Sequence, residues 1–287
     1  RAYPRAKIGW LVNAELAPLI EPLPFVTRVH RFQRSSMRGV AGAFKGRTLL
    51  RALAQEMRAH NYDVALDLQG LFRSAWLARM SKARERIGFA NAREFATLLY
   101  SRKVMAPSAN THAVDRYRAF VSSLGVPIGE PSTSLATTPA EMEAARQLLA
   151  SAGFPPGELP VVLCPGARWP SKAWPAQSWA ALADKIAGVT NVPCVLTGSP
   201  SEQELCAAVA SLSKGPRPLN VAGKTGLREL AALMKLARVA VTNDSGPMHI
   251  ASAQGAPLVA LFGPTDPVLT GPWRRLECVI RSTDQEV

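Results

Sequence analysis

The chain has 287 residues, 47% of them hydrophobic and 19% charged, which is too long for one ordinary domain and too apolar for a disordered chain. Its net charge of +13 implies an anionic partner: nucleic acid, a membrane surface or an acidic glycan. The cysteines Cys164, Cys194, Cys206 and Cys278 match no zinc spacing, no apolar run is long enough to span a bilayer and no signal peptide is visible, so a reducing cytoplasm is expected.

In chain order, the first half offers short strands at 7–12, 27–32, 64–68, 86–89 and 103–105, with helical patterns at 46–60, 71–82 and 111–124. Between the second and third strands the charge is one-sided. Arg28, Arg31, Arg34, Arg38, Lys45, Arg47, Arg51 and Arg58 face the single acid Glu56, which reads either as a functional basic face or as a solvated helix surface. A stretch rich in Pro, Ser and Thr follows, at 126–139, and reads as a linker. The second half is more regular. Apolar strands at 160–164, 193–197, 219–221, 239–242 and 258–262 alternate with helices at 176–187, 201–212, 227–236 and 247–254. Near-continuous apolar strands mean burial on both faces, as in a parallel sheet covered by helices. The expectation is an α/β chain of two doubly wound, Rossmann-like domains with a cleft between them. Residues 1–128 form the first domain, 129–158 the linker region and 159–287 the second domain.

Four strand ends carry candidate chemistry, because ligands of open α/β sheets bind beyond the carboxyl ends of strands. The strand at 239–242 runs through Asn243-Asp244-Ser245-Gly246 straight into a helix that carries His249 in its first turn. A helix start offers unpaired N–H groups and a partial positive charge to a phosphate. The same residues also suit a plain helix cap. The strand at 160–164 ends in Pro165-Gly166, followed by Arg168, Trp169, Lys172 and Trp174. Lys172 is a compact charge for a pyrophosphate, or else a solvated lysine. Trp174 before Pro175 reads better as packing at a helix start. In the first half, Asp67-Leu68-Gln69-Gly70 with Arg73 can bind sugar hydroxyls and an acid, although Asp67 suits a turn cap nearly as well. Phe262-Gly263-Pro264-Thr265-Asp266-Pro267 makes a rigid loop in which Asp266 has no evident role.

The chain lacks a Walker A loop, G-x-G-x-x-G, H-E-x-x-H and G-x-S-x-G, and its four histidines are scattered, so neither a dinucleotide nor a metal is expected. Asn243-Asp244-Ser245-Gly246 with His249, the 262–267 loop, Lys172-x-Trp174-Pro175 and Asp67-x-Gln69-Gly70 together resemble the ADP-heptose:lipopolysaccharide heptosyltransferases. Tyr62-Asp63, His112 to Arg116 and Gly223-Lys224-Thr225 add to the match. Gln69-Gly70-Leu71-x-x-Ser74 leans toward the enzyme that adds the first heptose to Kdo, while Thr242-Asn243-Asp244-Ser245-Gly246 also suits the enzyme that adds the second.

The resemblance implies a GT-B-like fold and inverting transfer of heptose from ADP-heptose to the Kdo or inner core of lipopolysaccharide, with no metal and no cofactor. The donor side would comprise Lys172, Asp244, Ser245, Gly246 and His249, together with Gly166, Arg168 and Glu229. The acid that holds the ribose in the family aligns with Arg228, one residue from Glu229. The acceptor side would comprise Asp67, Gln69, Gly70 and Arg73, joined by Arg31, Arg34 and Arg38. The family's opening strand and Ser-x-Gly-Asp loop, whose Asp is the expected base, have no counterpart here, so an N-terminal segment is expected to be missing. Asp67 is then the remaining acid to consider as a base, and the chain taken alone is expected to bind donor but barely turn over. The expected partners are ADP-heptose, Kdo–lipid A and the anionic cytoplasmic face of the inner membrane, met by a monomeric peripheral protein. The rivals are a GT-B transferase using another nucleotide sugar and a basic nucleic-acid-binding protein.

Overall fold

The computed structural model describes residues 3–33, 39–129 and 135–282, except for the side chains of 39–45. The chain divides into two compact units, Arg1–Pro131 and Ser132–Val287. All strand pairing in both is parallel.

The first unit runs β1 (Gly9–Asn13), α1 (Ala17–Ile20), β2 (Arg28–Phe32), α2 (Gly39–Ala59), β3 (Val64–Asp67), α3 (Phe72–Met80), β4 (Glu85–Phe89), β5 (Arg102–Val104) and α4 (Ala113–Ser122). Its strands form two sheets, β1-β2 and β3-β4-β5, so among the described residues β1 and β3 each pair along one edge only. Helix α2 turns Leu50, Leu53 and Met57 inward at helical spacing, onto Phe32 of β2 and Leu77 of α3. Ile87, Phe89 and Val104 pack on Phe120 of α4. Two glycines let rings lie against strands. A Cβ on Gly9 would fall 1.9 Å from the Tyr62 hydroxyl, and one on Gly88 would fall 2.2 Å from the Tyr100 ring.

The second unit opens with α5 (Pro139–Ser151), which falls within the linker region expected from the sequence. A capping box starts this helix: Glu141 N–H donates to Thr138 Oγ1 at 3.2 Å and Thr138 N–H to the Glu141 carboxylate at 2.7 Å. Pro139 takes the first helical position, and Ala145 and Leu149 are buried. Then follow β6 (Val161–Cys164), α6 (Ala176–Thr190), β7 (Val195–Leu196), α7 (Gln203–Leu212), β8 (Leu219–Asn220), α8 (Leu227–Leu236), β9 (Val239–Asn243), α9 (Gly246–Ala253), β10 (Leu258–Phe262), α10 (Pro267–Thr270) and β11 (Val279–Arg281). Their sheet order is β11-β10-β9-β6-β7-β8. The chain builds outward from β6 in one direction, then returns to β6 with β9 and builds outward in the other. That reversal lies between β6 and β9, and it opens a crevice beyond their carboxyl ends. The core beneath is continuous, with Leu163, Trp179, Ala183, Leu196 and Val209 fully buried. Cys164, Cys194 and Cys206 are buried free thiols, as the apolar runs around the first two suggest. Burial pushes the Cys194 and Cys206 thiols up to about 12, so they stay protonated.

Candidate functional site

The strand reversal in the second unit brings together the loops after β6, β9 and β10. Lys172 ends a short turn, Pro170–Lys172, in the β6–α6 loop. Its Nζ lies 2.5 Å from Asp244 Oδ2, and that same oxygen accepts the Thr265 hydroxyl at 2.6 Å. Asp244 is 8% exposed, so its charge is largely withdrawn from water and depends on these two donors. Its backbone N–H donates to Leu261 O at 3.0 Å, which ties the loop to β10.

Asn243 joins the loops from below. Fully buried, it donates its amide Nδ2 to Pro165 O at 2.7 Å and accepts from Trp174 N–H at 3.4 Å. Trp174 packs edge-on to buried Trp179 at 5.5 Å between ring centroids, the packing role its sequence context suggests. Gly263 brings the third loop in, since a Cβ there would lie 3.1 Å from Ser171 O.

Beside this cluster α9 begins. Ser245 occupies the cap position, but its hydroxyl donates to Asn243 O at 3.3 Å and does not cap the helix. Gly246 is exposed, and a Cβ there would meet nothing within 4 Å. The helix start is therefore open on the side where a ligand would approach. His249 is exposed on the same first turn.

The other donor-side candidates separate. Gly166 is buried, and the group it makes room for is Glu202: a Cβ would fall 1.9 Å from Glu202 Oε1. Its close approach is to the Glu202 side chain. Arg168 is exposed and lies over the Trp169 ring at 5.7 Å. Arg228 is committed elsewhere. Its Nε lies 2.7 Å from Glu141, and a second nitrogen donates to Ala136 O at 2.5 Å. One residue on, and about 100° round the helix, Glu229 is half-buried in the first turn of α8, with its carboxylate close to Gly226. Asp266, without an evident role from sequence, caps α10 by accepting Val268 N–H at 2.9 Å.

In the first unit Asp67 is buried and saturated. Oδ1 accepts the N–H groups of Gln69 and Gly70 at 2.9 and 3.1 Å, and Oδ2 accepts the hydroxyls of Ser74 and Tyr100 at 2.8 and 2.7 Å. With four donors on two oxygens, the carboxylate organises the turn. This is the capping role, and it does not suit a base or a sugar ligand. Burial, with the Asp67 carboxylate adding to it, pushes the Tyr100 phenol up, so Tyr100 remains a donor. Gly70 has a left-handed φ of +68°, the conformation a glycine adopts without strain. Gln69 is exposed and Arg73 half-buried.

Of the basic segment, Arg31 pairs with Glu21, Arg28 pairs with Glu56 at 3.0 Å, and Arg47 and Arg51 are exposed on α2. Arg34, Arg38 and the Lys45 side chain lie outside the described residues. A cavity of about 530 Å³ lies between the two ion pairs, lined by Glu21, Thr27, Arg28, Arg31 and Glu56. Behind it His30 is 2% exposed, with Nδ1 3.0 Å from Glu56 and Nε2 2.7 Å from the Tyr62 hydroxyl.

Sequence reasoning quotes Asn243 and Thr265 within their motifs without giving either a role of its own; in the structure Thr265 donates to Asp244 and Asn243 joins the loops. Asn243 ends an otherwise apolar strand, which marks a polar group buried for a purpose. Thr265 sits next to the acid that drew attention in its motif.

Residues 50–287 match the profile of Glycosyltransferase family 9 (heptosyltransferase). The chain is 28% identical over 282 residues to the lipopolysaccharide core heptosyltransferase OpsX of Haemophilus influenzae, covering 97% of this chain and 76% of that one. A family 9 glycosyltransferase structure from Veillonella parvula superposes with a TM-score of 0.83 at 25% identity, over 97% of this chain and 77% of that one. The E. coli heptosyltransferase WaaC with ADP gives a TM-score of 0.78 at 26% identity, over 98% and 85%. With a family profile spanning most of its length and a parallel α/β fold shared with heptosyltransferases, this chain belongs to glycosyltransferase family 9, the heptosyltransferases.

Proposed function

We propose that the chain transfers heptose from ADP-heptose to the Kdo or inner-core region of lipopolysaccharide, with inversion and without a metal. The observation that carries this reading is the Lys172–Asp244–Thr265 cluster beside the open start of α9, at the strand reversal of the second unit's sheet. On this reading ADP's pyrophosphate lies against the N–H groups of Ser245 and Gly246 and takes the Lys172 ammonium from Asp244. Asp244 and His249 then face the sugar or its phosphates, and Glu229 is the acid available to the ribose hydroxyls. Similarity to a heptosyltransferase solved with ADP supports the choice of nucleotide.

The reaction follows from where charge develops. An acceptor hydroxyl attacks the anomeric carbon from the side opposite the phosphate. The new C–O bond forms as the sugar–phosphate bond breaks, and the electron pair leaves on ADP. The hydroxyl proton passes to a base, a role the saturated Asp67 does not fit. Lys172 and the oriented amides stabilise the charge on the leaving diphosphate, as a metal does in other transferases. On the acceptor side, Arg31, Arg34, Arg38, Arg73 and Gln69 would meet the acidic sugar, with Arg31 exchanging Glu21 for a ligand carboxylate. The acceptor is lipid-anchored, so the protein would work as a peripheral monomer on the cytoplasmic face of the inner membrane.

The test is a donor panel with Kdo–lipid A as acceptor. Slow turnover with ADP-heptose and none with UDP-sugars is expected. Turnover with a UDP-sugar but not with ADP-heptose would sink the proposal.

A further inference from the structure

We infer that Thr265 is a positioning residue: it holds the Asp244 carboxylate and thereby sets how readily Lys172 is released to a diphosphate. The inference rests on the donor site proposed above, but names a residue and a role which that reading does not contain. Three facts carry it. Asp244 Oδ2 accepts from both Lys172 Nζ at 2.5 Å and the Thr265 hydroxyl at 2.6 Å. Asp244 is nearly buried, so whatever donor leaves must be compensated by the one that stays. Thr265 sits in a short loop held at both ends: Gly263 sits closely against Ser171 O, next to Lys172, and Asp266 caps α10.

The consequence is a division of labour on one oxygen. In the empty site the ammonium and the hydroxyl share the carboxylate charge. When a diphosphate arrives, Lys172 turns to it and Asp244 is left buried with a negative charge. The Thr265 hydroxyl keeps that carboxylate hydrogen-bonded and pointed in the same direction. Without it, Asp244 has no second side-chain donor and holds Lys172 more tightly, so the diphosphate must compete harder for the ammonium. A serine supplies the same hydroxyl; a valine keeps the shape and removes it.

Two measurements on Thr265→Val, Thr265→Ser and Asp244→Asn test this. The first is the rate at which the Lys172 amine is modified by reductive methylation in nucleotide-free protein, read by peptide mass spectrometry. Thr265→Val should slow it severalfold, Thr265→Ser should leave it within twofold of wild type, and Asp244→Asn should speed it. The second is ADP affinity by calorimetry. Thr265→Val should weaken it roughly 10- to 100-fold, the loss expected of one hydrogen bond to a charged group. In the Asp244→Asn background the same change should cost much less, because the amide carries no charge for the hydroxyl to hold. An unchanged methylation rate in Thr265→Val overturns the inference, as does wild-type ADP affinity in that variant or an equal loss in Thr265→Ser. If the methylation rates shift as stated while wild-type protein binds no ADP, the donor assignment fails and the positioning role stands.

Discussion

Lys172 and His30 show how differently a charged group behaves according to its partner. Lys172 is the only cation within bonding distance of Asp244 among the described residues, so on the proposed function Lys172→Ala removes a charge-assisted bond to the pyrophosphate. ADP affinity should fall by about 1–3 kcal/mol. Calorimetry that returned the wild-type affinity would remove Lys172 from the donor site. His30 presents the opposite case. Burial, the largest influence, holds its pKa below the ordinary 6.5, against a smaller upward pull from Glu56. Glu56 is itself held low, because its bonds to Arg28 and His30 outweigh the upward effect of burial. For His30 the unfolded chain binds the proton more readily than the folded one. This contribution to stability is therefore fully present above about pH 6.5 and is lost as pH falls from there toward the folded value. Urea midpoints at about pH 7.5 and about pH 5.5 should drop more for wild type than for His30→Gln. Equal drops would refute it. Residue-scale roles were only partly legible in the sequence. Asp67, Lys172 and Asp244 could be named from strand-end spacing. Whether a carboxylate is saturated or left with one replaceable cation depends on Tyr100 and Thr265, which arrive 33 and 21 residues away in sequence.

At the scale of elements, the Arg228–Glu141 pair is the clearest lesson. Arg228 occupies the position where the family resemblance expects the ribose acid, and in the structure its role is mechanical, because it fastens α5 to α8. Its bond to Arg228 is the largest influence on Glu141 and holds that carboxyl below the ordinary range. Side-chain exposures of 11% and 21% put the pair between a surface bridge and a buried one. Arg228→Ala should thus cost about 2–4 kcal/mol of stability, less than a fully buried pair broken on one side. Calorimetric ADP affinity should stay within about twofold, because the bonds of Arg228 go to Glu141 and Ala136 and none to the Lys172–Asp244–Thr265 cluster. A large affinity loss at unchanged stability would reverse the assignment. Helix α5 is hard to see in the sequence because the Pro, Ser and Thr of 126–139 run right up to its first residue and read as linker. The same residues, as Thr138-Pro139 with Glu141 three places after the threonine, spell a helix start. The repeating β/α pattern of the second half was legible because its strands are buried on both faces and so read as unbroken apolar runs. The reversal of strand order was not, since it is a property of pairing between distant segments.

For the whole molecule, on the proposed function, the charge of +13 serves an acidic, lipid-anchored acceptor. Arg31, Arg47 and Arg51 are exposed in the first unit, and the Lys172–Asp244–Thr265 cluster belongs to the second. Reversing all three should weaken partition onto anionic vesicles by about 1 kcal/mol per residue near the surface and raise the acceptor KM, with ADP affinity preserved. Equal losses for vesicles and ADP would point to misfolding.

The strand reversal also governs the order in which the molecule assembles. Asn243 and Pro165, whose bond closes the site, are 78 residues apart, and Lys172 is 72 residues from Asp244. Between them the chain must lay down β7, α7, β8 and α8 before β9 can return to β6. Closing so long a loop is entropically costly and is repaid only at the end, so non-local parallel pairing is slow. Refolding should recover the far-ultraviolet helix signal first and ADP-binding capacity in a later phase. Recovery of both in a single phase would show that β6 and β9 meet early. A ligand that bridges the loops after β6 and β9 acts on the last step of folding, so ADP should slow unfolding more than it speeds folding.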